Sequence, residues 1–134
     1  MTTLTIFANE ITRLAGTVQA NIPKMQKEAA LAIVTEVAYA TPVDTGQASG
    51  NWLTTVGPSS APYTEGPSNP DASINNVMPA LSSLGMGQEV HITNDVPYII
   101  ELNNGRSEQA EAGFVEMAAE HALHILGRYD ILGA

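Results

Sequence analysis

The sequence contains no cysteine and has few basic residues. Of its 134 residues, 5 are lysine or arginine and 14 are aspartate or glutamate, so the net charge is −9 at pH 7. The absence of cysteine excludes disulfides, thiol nucleophiles and cysteine-ligated zinc. Because DNA readers and polybasic membrane anchors both need clustered Lys and Arg, the sequence predicts neither a sequence-specific nucleic-acid partner nor a membrane partner.

The sequence also lacks long apolar runs. Its longest strongly apolar stretch, residues 29–34, lies between Glu28 and Glu36 and is far shorter than the ~20 residues of a membrane span. Glu10 and Arg13 interrupt the region where a secretory signal needs an unbroken apolar segment. These features predict a protein made in the cytoplasm, and the length predicts a single domain over residues 1–134.

The spacing of apolar residues predicts an amphipathic helix near each end of the chain. Apolar residues recur in steps of three and four over residues 7–40 and again over residues 112–129. Pro23 cannot donate an interior helical hydrogen bond, so we expect a kink or break near Asn21, with Asn21 capping a second segment and Pro23 in its first turn. The Thr41-Pro42 pair is expected to end this helix.

Two strands, a long loop and a short helix are predicted between these helices. Residues 48–56 are rich in strand formers, and residues 88–93 alternate polar and apolar side chains as a half-buried strand does. Four prolines, two glycines and three serines predict an extended loop or arm over residues 57–71. We expect Asp71 or Ser73 to cap a short helix that reaches Leu84 and bends at Pro79, whereas residues 98–102 fit a helical turn or a strand.

This order of elements predicts an α+β fold. The long N-terminal helix, kinked near Pro23, and the C-terminal helix pack on a small antiparallel sheet, with a Pro/Gly-rich loop or arm. The chain has too few predicted strands for a doubly wound sheet.

The tripeptide Asp44-Thr45-Gly46 is the one that holds the catalytic carboxylate in retroviral-type aspartic proteases. Residues 125–128, Ile-Leu-Gly-Arg, resemble a second segment of those enzymes. Such proteases are nearly all-β dimers in which two aspartates share one proton, whereas here the tripeptide follows a predicted helix. We therefore favour a turn in which Asp44 binds backbone amides and Gly46 takes a positive φ. A dimeric aspartic protease that uses Asp44 is the alternative function.

The last helix carries residues of metal-binding type. Glu116, Glu120 and His124 recur on one face, with His121 nearby, and carboxylate and imidazole both bind zinc. The His-Glu-x-x-His order of a metalloprotease helix is absent, and a solvated helix face explains the same spacing. No metal site is predicted.

The remaining motifs also predict no chemistry. No serine lies in a Gly-x-Ser-x-Gly elbow, and Gly85-Met86-Gly87 lacks the third glycine of a phosphate-binding loop. His91 is expected at the surface, on the polar side of its strand, and Trp52, the single tryptophan, in the core. The sequence thus predicts no catalytic, cofactor-binding or metal-binding residue, no cofactor and no enzyme.

Several short motifs occur in an order that resembles one protein family. In chain order they are Thr41-Pro42-Val43-Asp44-Thr45-Gly46, a polar-rich strand with Trp52, a valine-bearing strand ending in Asn94, Val96-Pro97-Tyr98, Gly105-x-Ser107-x-Gln109-Ala110, and Gly113-Phe114-Val115 ahead of the last helix. Together, over roughly residues 25–130, they resemble the tailed-bacteriophage neck and tail-component family. These small proteins join the head to the tail or complete the tail.

The resemblance implies a structural virion protein that is made in the host cytoplasm. By this resemblance the chain is expected to be one subunit of a homo-oligomeric ring of six or twelve copies. The ring would be a neck protein or a tail terminator, and its partners would be other neck, connector and tail proteins. An adaptor that forms no ring is a further possibility. If the ring encloses a channel, the charge of −9 is expected to repel passing DNA and let it slide.

Overall fold

Three strands and four helices occupy the part of the chain that the computed structural model describes, which is residues 4–6, 22–42, 46–58, 62–105 and 112–126. In chain order they are β1 (Leu4–Ile6), α1 (Ile22–Ala40), β2 (Leu53–Val56), α2 (Pro70–Ala80), β3 (Val90–Asn94), α3 (Ile99–Asn103) and α4 (Phe114–Leu126). The predicted α+β class is confirmed. No helix in the described ranges is both long enough and apolar enough to span a bilayer.

The sheet is antiparallel and has the order β1-β3-β2. In its register, Leu4 pairs with Asn94 on one side of β3, and Leu53 pairs with Thr93 on the other. β1 is not predicted by the sequence pattern, because three residues are too few to show an alternation.

The prediction that β3 is half-buried is wrong, because all five of its residues are buried. His91, expected at the surface, is only 8% exposed. The physical reason is position: β3 is the central strand and also contacts α1. Polar and apolar residues alternate along it, but neither set is exposed to solvent.

α1 begins at Ile22 and carries Pro23 in its first turn, as predicted. The stripe over residues 7–20 and the expected cap at Asn21 lie outside the described residues. α1 packs against α4, α2 and β3, and its fully buried residues Ile33, Val34 and Val37 form the centre of the core.

Three predicted element boundaries need correction. Residues 47–50 form a turn, so the strand predicted from residue 48 begins only at Leu53. α2 is capped by Asn69, not by Asp71 or Ser73, because Pro70 suits the first helical position and the Asn69 side chain accepts from the Ala72 N–H. α2 also ends at Ala80, before Leu84.

The sequence allows either a helical turn or a strand over residues 98–102, and the structure has a helix there, α3. The last helix, α4, covers Phe114–Leu126. Residues 127–129, the end of its predicted range, lie outside the described residues.

Candidate functional site

Three of the family-like motifs contribute Thr41, Trp52 and Asn94 to a buried polar region before β2, which together with Ser49 and Ser73 we call the polar junction. All five residues are buried. At its centre, the Trp52 indole N–H donates to Thr41 Oγ1 at 2.9 Å, and the Thr41 hydroxyl donates to the Val37 carbonyl at 2.7 Å. The predicted core position of Trp52 is confirmed, and its one polar group is satisfied.

Ser73 joins α2 to the start of β2. Its hydroxyl donates to the Ser49 carbonyl at 2.6 Å and accepts from the Trp52 backbone N–H at 2.9 Å. One helical turn later, Asn76 Oδ1 accepts from the Thr54 N–H at 3.1 Å. These two α2 side chains satisfy backbone donors on the side of β2 that faces away from β3, so a helix covers this sheet edge.

Asn94 joins the end of β3 to the turn that precedes β2. Its Nδ2 donates to the Ala48 carbonyl at 2.8 Å, and its Oδ1 accepts from the Val96 N–H at 3.1 Å. The side chain is completely buried. Asn94 therefore fixes the chain direction at the entry to α3.

Asn103 makes a second connection, between α3 and the first turn of α4. Its Oδ1 accepts from the Val115 N–H at 2.9 Å, and its Nδ2 contacts both Glu116 carboxylate oxygens, at 2.9 and 3.0 Å. The Gly113 N–H donates to the Asn103 carbonyl at 2.6 Å. The Gly-Phe-Val motif thus lies where α4 needs partners for its unpaired N-terminal amides.

The candidate metal ligands of α4 are not brought together in the structure, and two of them have other partners. Glu116 binds Asn103, whereas His121 Nδ1 lies 3.4 Å from Glu36 Oε2 on α1. Glu120 and His124 are exposed. Within the described ranges, no three His, Asp or Glu side chains come together as a metal would require.

Asp44, the catalytic residue in the alternative protease function, lies outside the described residues. Gly46, two residues later, is described. Gly46 has the expected positive φ, +79°, and an added Cβ would lie 1.7 Å from the Ser68 carbonyl oxygen. At Gly50 a Cβ would lie 1.9 Å from Ser68 Oγ. The turn therefore needs glycine at both positions because residues of the following loop lie directly against it.

Two amide side chains, Gln47 in the turn and Asn51 just after it, bind the backbone of this loop. Asn51 Oδ1 accepts from the Thr64 N–H at 2.7 Å, and its Nδ2 donates to the Thr64 carbonyl at 3.0 Å. Gln47 Oε1 accepts from the Gly66 N–H at 2.9 Å. Neither role is predictable from the sequence, because an amide side chain carries no sequence signal for the backbone that it binds.

A cleft of about 310 Å³ lies beside the polar junction. It is bounded by the start of β2, by the loop and by α2, and its lining includes Trp52, Tyr63, Asn76, Thr93 and Asp95. Asp95 is 8% exposed. No Lys, Arg or His occurs among the described residues that line this cleft.

A second, shallower groove of about 280 Å³ lies between α1 and α4. Leu31, Ala32, Ala122 and Ile125 form its apolar part, and Glu28 and Glu36 are also in its lining.

The polar atoms of Thr41, Trp52, Ser73 and Asn94 are used to join elements of the same chain. Comparison with protein-family models, with curated proteins and with solved structures gives no match.

Proposed function

We propose that this chain is a structural virion protein of a tailed bacteriophage, one subunit of an oligomeric ring at the head-tail junction. The observation that carries the proposal is the position of the motif residues. Thr41 and Trp52, which carry much of the resemblance to neck and tail components, share a buried hydrogen bond, and Asn94, the end of a third motif, binds the carbonyl of Ala48, the residue before Ser49.

A polar junction of this kind suits a ring subunit. Satisfied buried networks specify a unique packing of the elements that they connect. In a closed ring every subunit repeats the same head-to-tail contact, so the patches on its two sides must keep a fixed relative position. The junction holds α1, α2, β2 and β3 in such a fixed arrangement.

The surface charge suits a channel that DNA passes through. Six acidic residues in the described ranges are exposed, namely Glu65, Asp71, Glu89, Glu101, Glu116 and Glu120. The only lysines in the same ranges are Lys24 and Lys27, both on α1. A ring of acidic subunits repels the DNA backbone and so favours sliding over adhesion.

Native mass spectrometry and electron microscopy of the purified chain, together with imaging of the particle, test the proposal. We expect closed rings of six or twelve copies, either in solution or at the particle junction. A dimer with peptidase activity that Asp44→Asn abolishes and Asp71→Asn preserves would instead support the protease alternative. Absence of the chain from purified particles would overturn the proposal.

A further inference from the structure

We propose that Asn104 is a site of spontaneous deamidation and that this reaction is coupled to the cap at the start of α4. The contacts that hold the cap restrain the reaction, and the reaction weakens the cap. Neither effect requires a ring or a virion, because both depend on the chemistry of one dipeptide and on the contacts around it. That dipeptide is Asn104-Gly105, the only Asn-Gly pair in the sequence.

Deamidation of an Asn-Gly pair requires only water. The backbone nitrogen of Gly105 attacks Cγ of Asn104 and loses its proton, the bond from Cγ to the side-chain nitrogen breaks, and ammonia leaves with that proton. Water then opens the resulting succinimide ring at either carbonyl and gives aspartate or isoaspartate. One water is consumed and one ammonia is released, with no oxidation or reduction. Glycine favours ring closure because it has no Cβ to crowd the attacking nitrogen.

Asn104 and Gly105 are both exposed, so water reaches the pair. Other asparagine side chains in the described ranges are held by hydrogen bonds to distant parts of the chain, as those of Asn51, Asn76 and Asn94 are. Asn104 is the asparagine that combines an exposed side chain with a following glycine.

The native backbone at Asn104 opposes ring closure. Its ψ is 7°, so the Gly105 nitrogen eclipses the backbone nitrogen of Asn104. A nearly planar five-membered ring instead requires the Gly105 nitrogen to eclipse Cβ of Asn104. The backbone nitrogen and Cβ occupy different positions around Cα, so the two arrangements exclude each other. Ring closure therefore needs a large rotation about ψ.

The chain that enters α4 holds this conformation in place. The Gly105 N–H, whose proton must leave, donates to the Leu102 carbonyl at 3.1 Å. Ala112 lies against Gly105, since an added Cβ there would be 3.2 Å from the Ala112 Cβ. The Gly113 N–H donates to the Asn103 carbonyl at 2.6 Å. The reaction therefore needs these contacts to open, and such local opening costs less free energy than global unfolding.

The product weakens the same contacts. Isoaspartate carries the main chain through its side-chain carbonyl, which inserts one extra methylene group between residues 104 and 105. The longer link shifts Gly105 relative to Asn103, whose carbonyl and Oδ1 accept from the Gly113 and Val115 N–H groups. These acceptors serve the unpaired N-terminal amides of α4, so we expect the first turn of α4 to open more often in the product.

Peptide mapping by mass spectrometry measures the reaction on the full chain at neutral pH. Endoproteinase Glu-C cuts after Glu101 and Glu108 and releases residues 102–108, in which fragmentation separates Asn103 from Asn104. In guanidinium chloride, Asn104 should convert before any other asparagine. In the folded chain its conversion should be at least about tenfold slower, because the chain must open first. Earlier conversion of another asparagine in guanidinium chloride, or equal rates in the two conditions, would overturn the proposal.

A variant of the cap tests whether its contacts restrain the reaction. Glu116→Ala removes the carboxylate that accepts from Asn103 Nδ2, at an exposed position that the fold tolerates. It should raise the rate at Asn104 in the folded chain about threefold or more, since a lost hydrogen bond to a charged group makes opening easier. The rate in guanidinium chloride should not change. Glu120→Ala, one turn later and also exposed, should change neither rate. Equal rates in the two variants would overturn the coupling.

Hydrogen exchange before and after deamidation measures the reverse effect. The Val115 N–H should exchange faster in the isoaspartate product, whereas the Thr54 N–H, which donates to Asn76 Oδ1, should keep its rate. Asn104→Gln is the control for ageing, because its ring would have six members and closes slowly, and its exchange should stay unchanged after the same incubation. Unchanged exchange at Val115 in the product, or equal acceleration at both amides, would contradict a local effect on the cap.

Discussion

The indole N–H of Trp52 donates a 2.9 Å hydrogen bond to the hydroxyl of Thr41, and both residues are 1% exposed. Thr41 follows the last residue of α1, and Trp52 precedes the first residue of β2. This single bond therefore couples the longest described helix to the sheet.

Thr41→Val is expected to lower the free energy of unfolding by about 1–3 kcal/mol, because it leaves the buried indole N–H without an acceptor. Thr35→Val is the matched control. Thr35 also donates to the carbonyl four residues earlier, at 2.7 Å, but its side chain is only partly buried. Its effect should stay within about 0.5 kcal/mol. Equal effects in urea unfolding would show that the Trp52 bond contributes nothing.

Gly46→Ala should destabilise the fold more than Gly57→Ala. Both glycines have positive φ, +79° and +83°, so both variants strain the backbone by about 1–2 kcal/mol. Only at Gly46 does the added Cβ meet the Ser68 carbonyl oxygen, at 1.7 Å, whereas none of the described atoms lies within 4 Å of a Cβ at Gly57. Urea unfolding gives the difference, and limited proteolysis should cut residues 62–69 faster in Gly46→Ala. Equal losses would mean that the loop does not depend on this contact.

Asn103→Ala should cost about 1–2 kcal/mol, as the loss of a helix cap does. The Val115 N–H loses its acceptor, and Glu116 loses the side-chain amide that it accepts from. Hydrogen exchange at Val115 should become faster in this variant. Asn104→Ala, at the exposed neighbouring residue, should leave that rate unchanged, and a similar acceleration in both variants would contradict the assigned cap.

The pKa of Tyr39 lies above its ordinary value of 10.0, because its hydroxyl donates a 2.7 Å hydrogen bond to Asp71 Oδ1 and because that carboxylate is negative. The stabilisation from this pair is fully present below the unfolded-state pKa and is lost as pH rises through the higher folded-state pKa. Tyrosinate absorbance, taken as the difference from Tyr39→Phe, measures the pKa. Asp71→Asn should lower it towards 10.0, and Glu65→Gln should not. A normal pKa in the wild type would show that the bond does not persist in solution.

Reversing exposed acids tests the proposed effect of charge on DNA. Replacing Glu65, Glu89 and Glu101 with lysine should slow DNA ejection from assembled particles, because the ring then attracts the phosphates. The matched Gln variants should have a smaller effect. Unchanged ejection kinetics in the lysine variant would count against an acidic channel.

The sequence predicts the fold class and the helices better than the sheet and the junction. Apolar spacing locates α1 and α4 because a helix that is buried on one face shows its period. The same reasoning fails for β3: a central strand buries His91 and Thr93 as well as its apolar residues. β1 is too short to show any pattern.

The candidate site is only partly predictable from the sequence. The sequence predicts the core position of Trp52 and the positive φ of Gly46. The sequence does not predict the bonds from Ser73 and Asn76 to the backbone of Trp52 and Thr54, because those bonds depend on α2 lying along the edge of β2. The lining of the cleft is not predictable from the sequence either. Asp95 and Tyr63 are 32 residues apart in the chain, and only the fold of the sheet and the loop brings both to the cleft.

The measurement that tests the central claim most directly is cryo-electron microscopy of the tailed particle whose genome encodes this chain. The reconstruction is made at the head-tail junction, with the symmetry left free during refinement. The proposal predicts a closed ring of six or twelve copies into which α1, α4 and the three-stranded sheet fit. A junction resolved without density for this fold, in particles whose other neck and tail proteins are all accounted for, would contradict it.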